Sequence, residues 1–544
     1  MLKKPTVILT LLSIVFLGVY FLLATPIKTD LGISDKFDWP DETANYFWIQ
    51  HYAQTGQLKL AEPLNAVAQN QIHPRSFNVL DDGSLVPGSF VGLIILYGNL
   101  VNIFGRSLLF YFTPLLAILA VWAFFGIIRR VFDDRVAELA AVLMFFHPAW
   151  WYYSVTPMLP NVAFLACLLF SIFFLLSGSL NRIQISGNGT WGRQTGFGSL
   201  ETAIKIVPLL LAALFGGLAV SIRPSEAIWV AVLYSVVLLY RKIRFLKLVL
   251  FLAVIVLVLA PSFYQHQILY GSWFSTGYDQ LQQTDGVACQ TCQTVKSLIL
   301  PFGFHPFLIG YNFWIHFISR FWWLSLLAIL GLVVYLSQKK GAKNEIFVYI
   351  LLGLLISGFL AVYYGSWEFS DKLTLNLNTL GISYIRYWLP IYLFSLPFIA
   401  AGIIWLTRLF PRRFSGAVMI LILTFVFYQS ANLVLRAKPD SILPVRNRIV
   451  EYKKIASQVF AATEPDSIIV TVRKDKLFFP ERKVIHTFDA LSLNDELLGI
   501  IPFLVNLKPV YYYALGQEPT LELKDGLTLE PVLNIGREVL YKVK

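Results

Sequence analysis

Residues 86–105, VPGSFVGLIILYGNLVNIFG, are apolar and long enough to cross a bilayer as a helix. Whether they cross decides which side of the membrane every later loop occupies. The basic residues answer that question. They collect at Lys3/Lys4, 129–135 (RRVFDDR), Arg182/Arg193/Lys205, 241–247 (RKIRFLK), 339–343 (KKGAK) and Arg408/Arg412/Arg413. If 86–105 stays out of the count of crossings and the N-terminus is inside, all these clusters face the cytoplasm, as the positive-inside bias requires. If it crosses, every cluster from 129 onward moves outside. Its proline and four glycines also make a poor straight spanning helix. The segment is therefore expected to lie in the interface or to dip in and return.

Working outward, the chain has 544 residues, is 57% hydrophobic and only 14% charged, with mean hydropathy +0.64. A soluble chain would carry about 25% charge. Apolar segments of spanning length recur up to residue 433, and they predict a polytopic α-helical membrane protein. Crossing helices are expected near 7–25, 107–128, 136–153, 158–177, 204–222, 225–240, 245–263, 315–336, 345–364, 385–406 and 414–433, about eleven in all. The first exceeds the apolar length of a secretory signal and is taken as an uncleaved transmembrane helix. The net charge of +12 is explained by the cytoplasmic clusters, so nucleic acid is not an expected partner.

Two regions stand apart from the spanning module, 1–433. The first is a long loop, 26–106, on the extracytoplasmic side. The second is the tail, 434–544, more charged and punctuated by turn signals. Its runs SIIVTV, KVIHTF and PVYYYAL predict strands of a small external α/β domain. The segment 181–203 is rich in Gly and Ser and predicts a cytoplasmic loop. Of three cysteines, Cys167 is expected to pack in an apolar helix. Cys289 and Cys292 form CQTC in a polar external loop, where a disulfide or free thiols are expected.

The long loop opens with DKFDWPDETANYFW, residues 35–48. It places Asp35, Asp38, Asp41 and Glu42 within eight residues, just after an apolar helix. The plain reading is a helix start, with Asp38 as N-cap, Pro40 in the first turn, and Asp41 and Glu42 suiting the helix dipole. The sharper reading uses the same geometry. Asp38, Asp41 and Glu42 fall near one face, with Tyr46, Phe47 and Trp48 as interfacial anchors. Acids so close raise one another's pKa or recruit a cation, which suits a general base at the mouth of a membrane cavity.

The stretch PDETANYFWIQHYAQTG, Pro40 to Gly56, resembles the first-loop signature of the GT-C membrane glycosyltransferases. That family includes protein O-mannosyltransferases and aminoarabinose transferases. Asp41 and Glu42 match the family's acid pair, Tyr46 its tyrosine and Gly56 its glycine. HPRSF (73–77) and the 86–105 segment resemble a basic-Pro segment and interfacial helix, here separated by the insertion NVLDDGSL. The stretches RRVFDDRVAELAAVLMFFHPAWWYYS, SIRPSEAIWV, SYIRYWLP and DKLFFPERKVI resemble later family segments in the family's order. One position departs: an acid that many relatives carry after a proline is Asn161 here. No metal is assigned for that reason, and a divalent cation is left open.

The resemblance implies a GT-C-like fold in the plasma membrane, with the N-terminus cytoplasmic and the tail extracytoplasmic. It implies transfer of a sugar from a polyprenyl-phosphate donor to a hydroxyl on a protein, lipid or glycan. Asp41 is then the candidate general base, with Glu42 orienting or sharing the proton. Transfer by single displacement inverts the anomeric centre and needs no strong acid, because the leaving group is a phosphate. Cations must hold that phosphate. Arg223 and Arg386 lie at external helix ends, with Arg223, in a very short external turn, the first choice and Arg386 the next; Arg75, Lys296 and Lys372 are further candidates, and His73 could bind acceptor, phosphate or metal. Tyr384, Tyr387 and Trp388 could stack on sugar or sit in the aromatic belt. The rival readings are a transporter or flippase, which would place ionisable groups mid-membrane, and a non-catalytic scaffold. The spanning stretches hold few acids, Glu138 and Glu226 near helix ends, while the first loop is crowded with them.

Overall fold

The computed structural model describes residues 4–177, 198–278, 300–337, 344–368, 379–487, 495–515, 523 and 526–544. Cys289, Cys292, Lys296, Lys372, the 339–343 cluster and residues 181–197 of the Gly-rich segment lie outside the described residues. The chain divides into two compact units. One comprises Met1–Ala24, Tyr111–Pro261 and Val287–Ile442. The other comprises Thr25–Phe110, Ser262–Gly286 and Leu443–Lys544, so the long first loop folds into the same unit as the tail.

The helices in chain order are α1 (Lys4–Ala24), α2 (Pro40–Thr55), α3 (Gly92–Phe104), α4 (Leu109–Val131), α5 (Asp134–Phe146), α6 (Pro148–Ser154) and α7 (Pro160–Ser177). Then come α8 (Gly198–Ile222), α9 (Ala227–Tyr240), α10 (Phe245–Tyr270), α11 (Pro306–Phe313), α12 (Trp322–Ser337) and α13 (Asn344–Gly365). They are followed by α14 (Ser383–Tyr387), α15 (Leu389–Arg408), α16 (Arg412–Leu435), α17 (Ile442–Ala461), α18 (Asp475–Phe478) and α19 (Asp495–Val505). Among the described residues seven helices are long and apolar enough to cross a membrane, or nine if two bent pairs each count as one span. This is a multi-pass membrane protein, and the expected count of eleven is not reached by these helices.

The differences have local causes. The expected span 136–153 breaks between α5 and α6 at His147, whose backbone is extended (φ −67°, ψ 121°). Pro148 follows it, and a residue before proline is pushed out of the helical region. The 204–240 region bends by 113° at Arg223–Pro224, and the 306–337 region by 94° after a π-helical turn at Trp314–Ser319. The 86–105 segment yields only α3, thirteen residues or about 20 Å, too short to cross about 30 Å of hydrocarbon.

In the helical unit the core runs between α12 and α15. Gly331 and Gly402 face each other there, and a Cβ on either would collide with main-chain oxygen of the other helix, Phe398 O or Leu327 O. Cys167 is buried, as expected of a packing residue.

The second unit is built on a five-stranded sheet, order β4-β3-β5-β7-β6. Its strands are β3 (Ile468–Val472), β4 (Lys483–Thr487), β5 (Val510–Leu515), β6 (Leu529–Ile535) and β7 (Glu538–Val543). The three expected strands are the parallel set β4-β3-β5, and β6/β7 add an antiparallel hairpin. DKLFFPERKVI supplies one strand rather than a pair, because its first half is the helical turn α18. The apolar face, with Ile468, Val470, Ile485 and Val510, packs on Leu497, Ile500 and Leu504 of α19 and on Ala68 and Ile72 of the first loop. The insertion NVLDDGSL closes a short hairpin, β1 (Phe77–Val79) against β2 (Leu85–Pro87). Helix α3 lies on α2 at Gly98, where an added Cβ would sit 2.6 Å from Tyr52 Cδ1.

Candidate active site

Helix α2 begins where its sequence signals a start, but its cap is different. Trp39, extended at φ −98° and ψ 137°, is the N-cap and makes no side-chain cap bond; Pro40 occupies the first turn. Asp38 lies one residue outside. Its carboxylate takes a forked pair of bonds from Arg448 (Nε–Oδ1 2.9 Å, Nη2–Oδ2 2.6 Å) and a 3.3 Å bond from Tyr452, both on α17. The Lys476 ammonium binds the Asp38 carbonyl and lies 3.6 Å from its carboxylate. An acid so engaged cannot turn to the helix amides. Burial pushes the Asp38 pKa up, but Lys476 and Arg448 outweigh it and hold the carboxyl below its usual range.

The first turn of α2 carries Asp41 and Glu42 in different surroundings. Glu42 is 6% exposed. Burial raises its pKa to about 8, the negative charges of Asp38 and Asp41 add to the rise, and a hydrogen bond from the Trp39 backbone opposes it. Glu42 is thus mostly protonated at neutral pH. Asp41 is half-exposed and accepts the Ser76 hydroxyl at 2.7 Å. Ser76 sits in the left-handed region at φ 63°, a conformation that costs a serine roughly 1–2 kcal/mol. Residue Gly88 fixes it, since its N–H donates to Ser76 O at 3.0 Å and a Cβ there would press on the Ser76 carbonyl. One turn along α2, Asn45 receives the Ser89 hydroxyl at 3.2 Å. Strain maintained beside a carboxylate is a feature of functional sites.

The expected anchors are interior instead. Tyr46 and Trp48 are buried, and Phe47 packs on Phe77 and Phe479. The first-loop hairpin and the turn after α18 cover Phe47 and Trp48, while Tyr46 packs on Phe37 and Phe110. Tyr46 donates to Asp35 (3.1 Å) and accepts from Arg106 (3.2 Å).

Two candidates in HPRSF are engaged by the tail. Arg75 is fastened to Asp475, itself 1% exposed, by its backbone N–H and by Nε, both at 2.8 Å. Its Nη2 donates to Arg473 O. His73 forms a parallel bridge to Ile485 and meets His486 edge to face at 5.0 Å. Burial, with His486 nearby, lowers its pKa to about 4, so it is neutral at physiological pH. Lys36 joins this framework through Glu481 at 2.6 Å, and Lys453 through Asp35 at 3.2 Å.

The remaining candidates lie in the helical unit. Arg223, at the 113° break, is 5% exposed and ion-paired with Glu226 at 2.7 Å. Tyr364 bonds both partners, and Trp229 Nε1 donates to Glu226 Oε2 at 2.5 Å. Arg223 and Arg386 both lie over the Tyr387 ring, at 4.8 and 5.0 Å, so these two candidates are brought together. Asn161 Nδ2 donates to Arg386 O at 3.1 Å, so this departure from the family pattern has a structural use. Tyr384 and Trp388 are buried, and Tyr384 stacks on His316 at 4.9 Å, in the interior rather than in a membrane belt. Among the described residues no group of three or more His, Cys, Asp or Glu could hold a metal ion.

Sequence reading missed Ser76, Arg448, Tyr452 and Lys476. Ser76 had a local signal in its place within HPRSF. The others lie about 400 residues away on the tail, and no motif announced them.

The fold is that of a multi-pass membrane protein. It resembles ArnT from Cupriavidus metallidurans in the apo state at TM-score 0.53 and 11% identity, with 98% of this chain and 97% of ArnT aligned. The likeness to the same ArnT bound to undecaprenyl phosphate has TM-score 0.53 and 12% identity over 99% and 97% of the chains. An oligosaccharyltransferase from Archaeoglobus fulgidus, in complex with zinc and sulfate, aligns at TM-score 0.44 and 14% identity over 91% of this chain and 67% of its own. No protein-family model matches the sequence, and no curated protein matches it.

Proposed function

We propose that this chain is a glycosyltransferase. It moves a sugar from a polyprenyl-phosphate-linked donor to a hydroxyl acceptor on the extracytoplasmic face of the plasma membrane, with the N-terminus cytoplasmic. The observation that carries the reading is the pair of adjacent acids opening α2. Asp41 is half-exposed and oriented by a strained Ser76, and Glu42 is buried and protonated. The ArnT-like fold supports the lipid donor, because the ArnT crystal structure holds undecaprenyl phosphate.

In this mechanism the Asp41 carboxylate accepts the acceptor's hydroxyl proton as its oxygen attacks the anomeric carbon. The bond from that carbon to the phosphate oxygen breaks, its electron pair leaves with the polyprenyl phosphate, and the configuration inverts. General-base help of this kind is worth about 10²–10⁴-fold. Protonated Glu42 limits negative charge beside the base. In the helical unit Arg386 is assigned to the donor phosphate. Arg223, whose charge Glu226 already balances, positions Tyr387 beneath it.

The test is release of polyprenyl phosphate from a panel of polyprenyl-phosphate sugars by the purified protein, with Asp41→Asn as control. Release by wild type and its loss in the folded variant are expected. Equal release by both would remove Asp41 from the chemistry. The two bent helix pairs also suit a transporter, since broken helices line such sites. Movement of the intact donor across vesicles without release would favour that reading.

A further inference from the structure

The helical unit encloses a cavity of about 450 Å³ between α4, α7, α9, α13 and α15, within the size range of ligand sites. Its walls are apolar, with Leu168, Ile172, Leu233 and Leu352 among them. Trp229 closes one end, its indole held by Glu226 at the Arg223 junction. The opposite end is of different character. Arg130, Arg241, Tyr240 and Glu345 line it. Arg130 bonds Gly126 O (3.0 Å) and Ser177 Oγ (2.9 Å), and Tyr240 donates to Glu345 at 2.8 Å. Among the described residues the Arg241 guanidinium has no hydrogen-bond or ion-pair partner, and Arg130 and Arg241 are near enough for their charges to repel.

Two guanidinium groups and one carboxylate, Glu345, share this rim, so one positive charge is left unbalanced beside an apolar chamber, which favours a bound anion. The chamber's length constrains that anion's tail. Trp229 to Arg241 spans twelve residues of helix, about 18 Å. One leaflet of hydrocarbon is about 15 Å deep. We propose that this cavity binds one bilayer phospholipid with an anionic headgroup, its phosphate between Arg130 and Arg241 and one acyl chain along α9 to Trp229. The site lies at the opposite end of α9 from Arg223. Its occupant is a resident of the leaflet beside the basic clusters and is distinct from a sugar donor.

The full-length protein, exchanged into micelles of phosphatidylglycerol or phosphatidylcholine and then washed, is assayed for retained lipid by native mass spectrometry. Retention of one phosphatidylglycerol and little phosphatidylcholine is expected. Arg241→Gln should weaken retention about tenfold or more, the value of one charge-assisted bond. Leu168→Trp should abolish retention by filling the chamber while both arginines remain. Arg130 also holds Ser177, so Arg241→Gln, half-exposed and at a helix end, is the variant that decides. Equal retention of both lipids, or an unchanged Arg241→Gln, would overturn the proposal. So would full displacement of phosphatidylglycerol by equimolar polyprenyl monophosphate, which would make the chamber a donor-tail site.

Discussion

Arg448 grips Asp38 through both carboxylate oxygens, joining the residue before the N-cap of α2 to a helix 410 positions later in the chain. Lys453, Lys36, Arg75 and Lys483 repeat the pattern with Asp35, Glu481, Asp475 and Glu62, so ion pairs fasten the first loop to the tail. Arg448→Ala should cost about 1.5–3 kcal/mol of stability, the worth of bonds to a charged group. The Asp38 pKa is depressed in the folded state. Its contribution is therefore full at neutral pH and disappears as pH falls below about 3.8. Thermal unfolding in detergent at pH 7 and pH 3 checks both points, and the variant's deficit should shrink on acidification.

Asp41→Asn should lower transfer by about 10²–10⁴-fold without loss of folding. Ser76→Ala should lower it about tenfold, since one hydrogen bond to a charged group is lost while the base remains. Ser76→Gly relieves the backbone strain as it removes the same bond. If Gly and Ala variants are equally slow while Gly alone raises the melting temperature, Ser76 acts through its hydroxyl. Initial rates with saturating donor distinguish these outcomes.

Glu42 makes stability fall as pH rises. Below about pH 4.5 folded and unfolded chains both hold its proton. Between there and about pH 8 only the folded chain does, and stability declines by up to about 1.4 kcal/mol per pH unit. Glu42→Gln, neutral throughout, should match wild type at pH 4.5 and exceed it at pH 8. Melting temperatures across that range, compared pairwise, measure the effect.

Removing one member of the buried Arg223–Glu226 pair should be worse than removing both. Arg223→Met alone strands a carboxylate, with an expected cost of about 3–5 kcal/mol, whereas Arg223→Met with Glu226→Leu should recover much of it. Arg386→Ala should instead raise the donor KM about tenfold with little change in melting temperature. A double-mutant cycle on stability, alongside donor KM, separates the structural arginine from the proposed binding one.

Local signals in the sequence were legible where local chemistry decides the outcome. Pro40 with two acids announced α2, the proline and glycines of 86–105 argued against a straight span, and β-branched and aromatic runs marked β3 to β5. The helix break at His147 was also written locally, in the proline that follows it, but hydropathy alone runs through it. What could not be read is pairing over long separations. Arg75 and His73 have the residue types of ligand binders, and their partners Asp475 and His486 lie 400 or more positions away. Tyr46 and Trp48 have the composition of membrane anchors, and only the packing of Phe37 and Phe110 on the one and of Phe77 on the other makes them interior. Strand β6, LEPVLNI, is mostly exposed and carries a proline, which left that hairpin unannounced.

The glycine crossing of α12 and α15 sets a limit on how the helical unit can rearrange. With backbone against backbone at Gly331 and Gly402, neither rod can slide past the other by a register step without carbonyl meeting carbon. The contact acts as a fulcrum. Any widening at one extremity of these two rods must arise from pivoting about it, with a matching displacement at the far extremity.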